Sequence, residues 1–188
     1  MENPETATAL QLSEASRSRI QEIVARYPTR QSALMPCIWT IQDELGWISP
    51  AAVEFLTETL GVTRARVQEV LTFYTMFRTE PPAEYVLEVC QNISCHILGA
   101  RELIAHLEKR LGIRLGETTP DGKFALHGVE CLGACGHGPV IQLGKHFYEH
   151  LTAEKADELL ESLRKDVVPR ADTDRLVDEV SSPLEEDS

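Results

Sequence analysis

Two short clusters of cysteines are the residues of this chain best suited to chemistry. Cys90 and Cys95 are separated by four residues in the string EVCQNISCHILGA, and Cys131 and Cys135 by three residues in VECLGACGHGPV. Each pair closes a loop that is too short for much besides surrounding a metal centre, and 35 residues lie between Cys95 and Cys131. Four thiolates from two loops are the ligand set that the irons of an iron–sulfur cluster usually require.

Structural zinc and metal-free thiols are the alternatives to an iron–sulfur cluster. Zinc sites of four cysteines use ligands typically about two to four residues apart, so spacing alone permits zinc. Zinc modules use the metal in place of a core, whereas these loops belong to a segment with its own predicted strands and helices. Small residues let backbone N–H groups approach cluster sulfurs. Several glycines surround the cysteines: Gly99, Gly128, Gly133, Gly136 and Gly138. The residues favour an iron–sulfur cluster most. A structural zinc site is the second choice, and a disulfide or a set of buried thiols without metal is the third.

The length and charge of the chain limit its fold and its partners. A chain of 188 residues fits one medium domain, or a small domain with an extension. The net charge is −12, and the segment 166–188 contributes about half of it through eight acidic residues and two arginines. Because affinity for phosphate depends on lysine and arginine, this acidic chain is predicted not to bind nucleic acid.

The sequence also predicts neither membrane insertion nor export. No run of about 18 apolar residues could span a bilayer. The first residues, MENPETATALQLSEA, lack the basic and apolar regions of a signal peptide. We therefore expect a cytoplasmic protein, in which a reducing environment favours cysteines as metal ligands or redox groups. The odd count of five cysteines argues mildly against a complete disulfide framework.

The N-terminal part of the chain predicts a small helical bundle. A disordered segment is expected over 1–12, and four short amphipathic helices over 13–80. Hydrophobic residues recur at helical spacing, and Ser13, Ser49 and Thr63 each precede such a run as a capping residue. The fourth helix is predicted over the string RARVQEVLTFYTMF.

The segment 84–165 predicts a second, α/β domain after a proline-rich linker, RTEPP. The predicted strands and helices are a strand at 85–89, a helix at 99–111, strands at 124–130, 139–143 and 146–148, and a helix from Thr152 to about Lys165. The first two strands run directly into the two cysteine loops, and loops after strand ends often contain functional sites. The acidic tail, 166–188, is expected to be mobile or ordered by a partner. The predicted fold class is therefore α+β.

Other residues near the motifs have simpler interpretations than metal binding. Cys37 has no cysteine neighbour and is predicted to be a buried structural thiol. His96 and His137 lie next to the cysteine loops and are expected at the rim of the site or facing a partner. Ligation by histidine, as in a Rieske centre, is disfavoured because four cysteines are available. His127 and His150 are expected on the surface.

The aromatic residues of the helical region are most simply explained as packing residues. This interpretation covers Trp39, Trp47, Phe73, Tyr74 and Phe77. The alternative for the stretch FYTMF is a docking surface for another protein.

Longer strings of the sequence resemble a known family. CQNISC followed by HILGA, and TTPDGKFALHGVECLGACGHGPVIQ, resemble the thioredoxin-like [2Fe–2S] ferredoxins. More closely, they resemble the small [2Fe–2S] subunits, of the E type, in respiratory complex I, NADH:quinone oxidoreductase. The resemblance extends to YPTRQSALMPCIWTIQDELGWIS and VQEVLTFYTMF in the helical region. It spans about residues 15–165.

The resemblance implies a specific cofactor, ligand set and assembly. A thioredoxin-like fold is implied for the second domain, with one [2Fe–2S] cluster held by Cys90, Cys95, Cys131 and Cys135. The implied role is transfer of single electrons within the NADH-dehydrogenase module. FMN and NADH are expected in a flavoprotein partner subunit, and other peripheral-arm subunits are expected as further partners. The implied location is the cytoplasmic face of the inner membrane, reached through the complex.

The residues themselves predict that this chain does not oxidise NADH alone. No G-x-G-x-x-G follows a predicted strand, no P-loop pattern is present, and no catalytic residues stand out. NADH delivers two electrons together, so a flavin must divide them before a cluster accepts one. Two alternatives stay open: the equivalent subunit of a soluble NAD-dependent hydrogenase or formate dehydrogenase, and a zinc-stabilised interaction module.

Overall fold

The chain folds as two compact units, Met1–Pro82 and Ala83–Ser188, in a computed structural model that describes residues 10–169 and 171. The first unit is helical, and the second combines helices with a four-stranded sheet. The predicted α+β class is therefore confirmed. None of the helices in the described part of the chain has the length and apolar character that crossing a bilayer requires.

Four helices form the first unit around a single hydrophobic core. They are α1 (Glu14–Arg26), α2 (Leu34–Leu45), α3 (Pro50–Leu60) and α4 (Arg64–Phe73), with a 3₁₀ turn at Gln31–Ala33 before α2. The three predicted caps are present: the side-chain oxygens of Ser13, Ser49 and Thr63 accept hydrogen bonds from backbone N–H groups three residues later. Side chains such as Ile38 and Leu56 are fully buried between the helices.

The second unit is built on a mixed sheet with the strand order β2-β1-β3-β4. Its elements are β1 (Tyr85–Cys90), α5 (Ile93–Ile97), α6 (Ala100–Leu111), β2 (Phe124–Val129), a 3₁₀ turn (Cys135–His137), β3 (Ile141–Leu143), β4 (His146–Tyr148) and α7 (Ala153–Arg164). Strands β1 and β2 are parallel neighbours, whereas β3 pairs with β1 and β4 in antiparallel fashion. The register places Cys90 opposite Val129, so β1 and β2 end at the same edge of the sheet.

Helix α4 is shorter than the sequence predicts. The sequence predicts a helix as far as Phe77, whereas α4 ends at Phe73. The buried amide of Gln42 explains the difference: its Nε2 donates to the carbonyl of Met76 at 2.9 Å, and its Oε1 accepts from the N–H of Arg78 at 2.8 Å. This distant side chain provides hydrogen-bond partners for backbone groups just beyond the end of α4.

Both ends of the described chain are packed more closely than the sequence suggests. The predicted disordered segment 1–12 lies outside the described residues except for 10–12, and there Leu12 is buried against the helical core. The acidic tail 166–188 lies outside them except for 166–169 and 171. In that part Lys123 Nζ lies 2.7 Å from Asp166 Oδ1, and the Tyr148 hydroxyl donates to the carbonyl of Pro169.

A charged cluster links α6 to α7 and predicts a pH dependence of stability. His106 Nε2 and Arg110 Nε lie 2.9 and 2.8 Å from Asp157 Oδ1. The hydrogen bond with His106, followed by the charge of Arg110, lowers the pKa of the Asp157 carboxyl. A carboxylate with a lower pKa in the folded state stabilises the fold above its unfolded pKa, and this contribution disappears as the pH falls through the folded pKa.

Asp157→Asn should therefore lower the free energy of unfolding at pH 7 by about 1 kcal/mol or less, the usual value for a partly exposed ion pair. Urea unfolding followed by circular dichroism at pH 7 and at successively lower pH measures the effect, because the contribution is lost only as the pH falls through the lowered pKa of Asp157, below the usual value of about 3.9. The difference between the variant and the wild type should vanish in acid. A difference that is the same at every pH would contradict the role assigned to the carboxylate.

Candidate metal centre

The fold brings both predicted cysteine pairs to one edge of the sheet. Cys90 is the last residue of β1, and Cys95 lies on α5, which follows that strand directly. Cys131 lies two residues beyond the end of β2, and Cys135 begins the 3₁₀ turn. Because β1 and β2 are parallel neighbours, the two loops emerge side by side. Residues that are distant in the sequence thus form two thiol pairs at the same edge of the sheet.

The separation of the Cys131 and Cys135 thiols is too large for a disulfide and is compatible with two ligands of one metal ion. Cys131 Sγ lies 3.6 Å from Cys135 Sγ. A disulfide bond would place the sulfurs about 2.05 Å apart. Two thiolates on one tetrahedral ion, with metal–sulfur bonds of about 2.3 Å, would lie about 3.8 Å apart. The two sulfurs could therefore bind one metal ion with little change in their separation.

The second pair is connected to the first through Cys95. Besides burial, the thiols of Cys90 and Cys135 both act on the Cys95 thiol and raise its pKa. Burial, together with these neighbouring thiols, raises the pKa of Cys95 to about 11. The free thiol is consequently protonated at neutral pH, and a metal that binds the thiolate must displace that proton.

The two pairs differ in their access to solvent. Cys90 and Cys95 are each 3% exposed, whereas Cys131 and Cys135 lie at the surface. The Cys90 and Cys95 thiols pack with Ala100 and Val140 in a small apolar cluster of their own. A centre bound here would thus be anchored in the protein on one side and open on the other.

Backbone groups approach the sulfurs, as the glycine-rich sequence predicts. The N–H of Gly133 points to Cys131 Sγ at 3.4 Å, and Gly133 has a φ of +84°, a conformation that favours glycine. The backbone of Val140 lowers the pKa of the Cys95 thiol, although burial outweighs this effect. Such donors stabilise negative charge on thiolates and on cluster sulfurs.

Helix α5 was missed by the sequence reasoning. It is only five residues long, Ile93–Ile97, and too short for a hydrophobic period to appear. The signal that could have revealed it is Asn92, whose Oδ1 accepts a hydrogen bond from the N–H of Ile93 at 2.9 Å. Asparagine is a preferred N-cap, and here it begins the turn that places Cys95 beside Cys90.

The donor set fits an iron–sulfur cluster better than a single ion. All four cysteines are free thiols, and they converge as two pairs from neighbouring loops. Within residues 10–169 and 171, no group of three or more His, Cys, Asp or Glu side chains is close enough together to bind a single metal ion. Two thiol pairs are the ligands that a centre with two irons requires.

The neighbouring histidines do not join the thiols. His137 Nδ1 lies 3.3 Å from Glu149 Oε2, and the His137 ring lies 5.2 Å from that of His150. His96 is exposed on α5, and His127 is exposed on β2. The fifth cysteine, Cys37, is completely buried in the helical unit, where burial raises its pKa to about 11. Cys37 is therefore a core thiol, as the sequence predicts.

The aromatic residues divide between the core and the surface. Phe77 is buried and contacts Trp39 edge to face, with ring centroids 5.2 Å apart. Phe73, in contrast, is 75% exposed, and Met76 is also exposed. The packing interpretation is wrong for Phe73, because α4 ends at this residue and its side chain lies outside the core.

Gly138 offers a sharp test of the packing around Cys95. A Cβ at this position would lie 3.2 Å from Cys95 Sγ and 3.0 Å from Leu98 Cδ1. Gly138→Ala should displace Cys95 or strain its loop, at a cost of about 1–3 kcal/mol for overpacking. We expect less iron per chain and faster bleaching of the visible absorption.

Gly136→Ala is the matched control, since a Cβ on Gly136 meets nothing within 4 Å. The control should keep the iron content and the absorption of the wild type. Equal behaviour of the two variants would show that the space beside Cys95 is not critical.

Comparisons with known proteins place this geometry in a family. The family model of the thioredoxin-like [2Fe–2S] ferredoxins matches residues 20–164. The E 2 subunit of the NADH-quinone oxidoreductase of Rhizobium meliloti is 48% identical over 148 residues, which cover 79% of this chain and 88% of that protein. The E subunit of the NADH-quinone oxidoreductase of Mycobacterium tuberculosis is 40% identical over 153 residues, but the match covers 60% of its length and 81% of this chain.

A solved structure shows the same fold in a larger chain. In the NAD⁺-reducing [NiFe]-hydrogenase in its H₂-reduced state, the match has a TM-score of 0.66 at 21% identity and covers 75% of this chain. This chain corresponds to 24% of that one, so the likeness concerns the fold alone. The family match and the identities to the two E subunits agree with the resemblance of the cysteine loops. The chain therefore belongs to the thioredoxin-like [2Fe–2S] ferredoxin family.

Proposed function

We propose that this chain is the [2Fe–2S] electron-transfer subunit of an NADH:quinone oxidoreductase, with its cluster held by Cys90, Cys95, Cys131 and Cys135. The observation that supports the ligand assignment is the convergence of the two thiol pairs at the shared end of β1 and β2. Membership of the family makes a [2Fe–2S] cluster the cofactor. The high identity to several proteins named as subunits of NADH-quinone oxidoreductase supports the choice of complex.

The residues of this chain hold the cofactor and set its electrostatic surroundings. When bound, the cluster accepts and releases one electron at a time. Four thiolates in a chain with a net charge of −12 disfavour the addition of an electron, whereas N–H groups such as that of Gly133 partly offset this effect. We expect a low midpoint potential. A redox titration followed by EPR measures it, and a clearly positive value would contradict this expectation.

The electron donor in this proposal is a flavin in another subunit. The sequence contains no dinucleotide-binding pattern, and the division of the two electrons of NADH requires a flavin. The partner is accordingly a flavoprotein subunit that binds FMN and NADH, and the other peripheral-arm subunits complete the assembly. The proposed location is the cytoplasmic face of the inner membrane, with attachment through the complex.

Affinity purification from the cells that produce the protein tests this proposal. The expected result is a brown complex that contains iron, FMN, the flavoprotein subunit and the quinone-reducing subunits, with NADH reducing the cluster. Co-purification with hydrogenase or formate dehydrogenase subunits would replace complex I by the alternative assembly. A colourless protein that contains zinc and no iron would overturn the redox function altogether.

A further inference from the structure

The two cysteine loops are joined by a hydrogen bond between the side chains of Asn92 and Glu130, neither of which is a proposed cluster ligand. We propose that Asn92 and Glu130 are positioning residues, which hold the two cysteine loops at the separation that the cluster requires. The inference rests on the proposed function, because it assumes that both pairs bind one cluster. It assigns a role to residues that contribute no ligand atom.

Asn92 lies between Cys90 and Cys95, and it uses both ends of its side-chain amide. Its Oδ1 accepts from the N–H of Ile93 at 2.9 Å and thereby caps α5. Its Nδ2 donates to Glu130 Oε2 at 2.9 Å, across 38 residues of sequence. One side chain therefore fixes the start of the helix that holds Cys95 and also contacts the other loop.

Glu130 lies at the start of the second loop. It lies between Val129, the last residue of β2, and Cys131. The backbone ladder of the parallel strands continues as far as the hydrogen bond from the N–H of Gln91 to the carbonyl of Val129, at 3.0 Å. Beyond that point, the bond from Asn92 to Glu130 continues the link between the strands through side chains.

The chemistry of the bond suits a positioning role beside a negative cluster. A hydrogen bond from a neutral amide to a carboxylate is stronger than one between two neutral groups. The carboxylate also places a fixed negative charge next to Cys131, where it disfavours a further electron on the cluster. Asn92 and Glu130 would therefore influence both the retention of the cluster and its potential.

Substitutions can separate these two effects. Asn92→Asp keeps a good N-cap, since aspartate and asparagine cap equally well, but its carboxylate cannot donate to Glu130. Glu130→Ala removes the acceptor. Glu130→Gln retains an acceptor oxygen for Asn92 and removes only the charge. Glu158→Gln, at an exposed position on α7, is the control for the loss of one negative charge elsewhere in the same unit.

The experiment measures cluster loss in the full-length protein during incubation with an iron chelator, together with the midpoint potential and the EPR spectrum of the reduced cluster. Asn92→Asp and Glu130→Ala should lose the cluster roughly three- to tenfold faster than the wild type, the factor expected for one net hydrogen bond. Glu130→Gln should lose it at a rate between those of the wild type and Glu130→Ala, because its neutral amide oxygen still accepts from Asn92 but more weakly than the carboxylate. Its midpoint potential should be more positive than that of Glu158→Gln.

The inference is overturned if Asn92→Asp matches the wild type in rate and EPR spectrum, or if Glu130→Gln is as labile as Glu130→Ala. Hydrogen exchange of the α5 amides in the metal-free protein gives a second measurement, in which Asn92→Asp and Glu130→Ala should exchange faster. A wild type without iron would refute the proposed function separately. Hydrogen exchange would still test the bond between Asn92 and Glu130 in that protein. Unchanged exchange of the α5 amides in Asn92→Asp and Glu130→Ala would refute its role in linking the loops, and faster exchange would support it.

Discussion

Replacement of Cys131 by alanine is expected to abolish the [2Fe–2S] cluster while leaving the fold intact. Cys131 is exposed, so the loss of its side chain opens no cavity in the core. Its sulfur lies 3.6 Å from that of Cys135, and both sulfurs are cluster ligands in the proposed function. Without this thiolate one iron lacks a protein ligand, and a methyl group offers no replacement. Iron content and visible absorption should both fall to near zero, with unchanged far-UV circular dichroism.

The matched control for this variant is Cys37→Ala. Cys37 is also a free cysteine, but it lies completely buried in the core of the helical unit. The control should lose some stability, since a buried sulfur is removed, but it should retain iron and colour like the wild type. Retention of the cluster by Cys131→Ala, or its loss from Cys37→Ala alone, would overturn the ligand assignment.

The general position of the site could be predicted because its determinants are local in sequence. Each cysteine pair lies within a few residues, and each follows a run of strand-forming residues, so the loops are identifiable from the sequence. The parallel pairing of β1 with β2 is a long-range property, and only the structure places Cys90 opposite Val129. The difference in burial between the two thiol pairs likewise depends on long-range packing, which the sequence does not show.

Features that depend on distant partners could not be predicted. The end of α4 is determined by the amide of Gln42, which bonds the backbone of residues 76 and 78 more than 30 positions away. Asn92 is recognisable as a helix cap, but its bond to Glu130 depends on the register of two strands. Hydrophobic period and capping signals describe neighbours along the chain, and they contain no information on such contacts.

Two separate hydrophobic cores allow the stability of the site to be tested apart from that of the helices. One core lies within the helical unit and the other within the sheet unit. Leu87 is fully buried on β1, the strand that ends in Cys90, and it pairs in register with Leu126 and Leu143 on the two flanking strands. Removing most of this side chain leaves a cavity in the layer that supports both cysteine loops.

Leu87→Ala should therefore destabilise the sheet unit by about 2–5 kcal/mol, the usual cost of such a cavity. The loss is a large share of the roughly 5–15 kcal/mol that stabilises a typical domain. The temperature at which the visible absorption of the cluster disappears should fall by roughly 10 °C or more. A thermal scan that records visible absorption and far-UV circular dichroism together measures both the cluster and the helices.

Ile41→Ala, in the core of the helical unit, is the matched control because Ile41 is also fully buried. It removes a comparable apolar volume, and its cost should be similar. Its effect should appear in the circular dichroism, with little change in the temperature of cluster loss, since Ile41 belongs to a different core from the strands that support the thiols. If Ile41→Ala lowered that temperature as much as Leu87→Ala, the two cores would melt as one, and the cluster would depend on the whole chain.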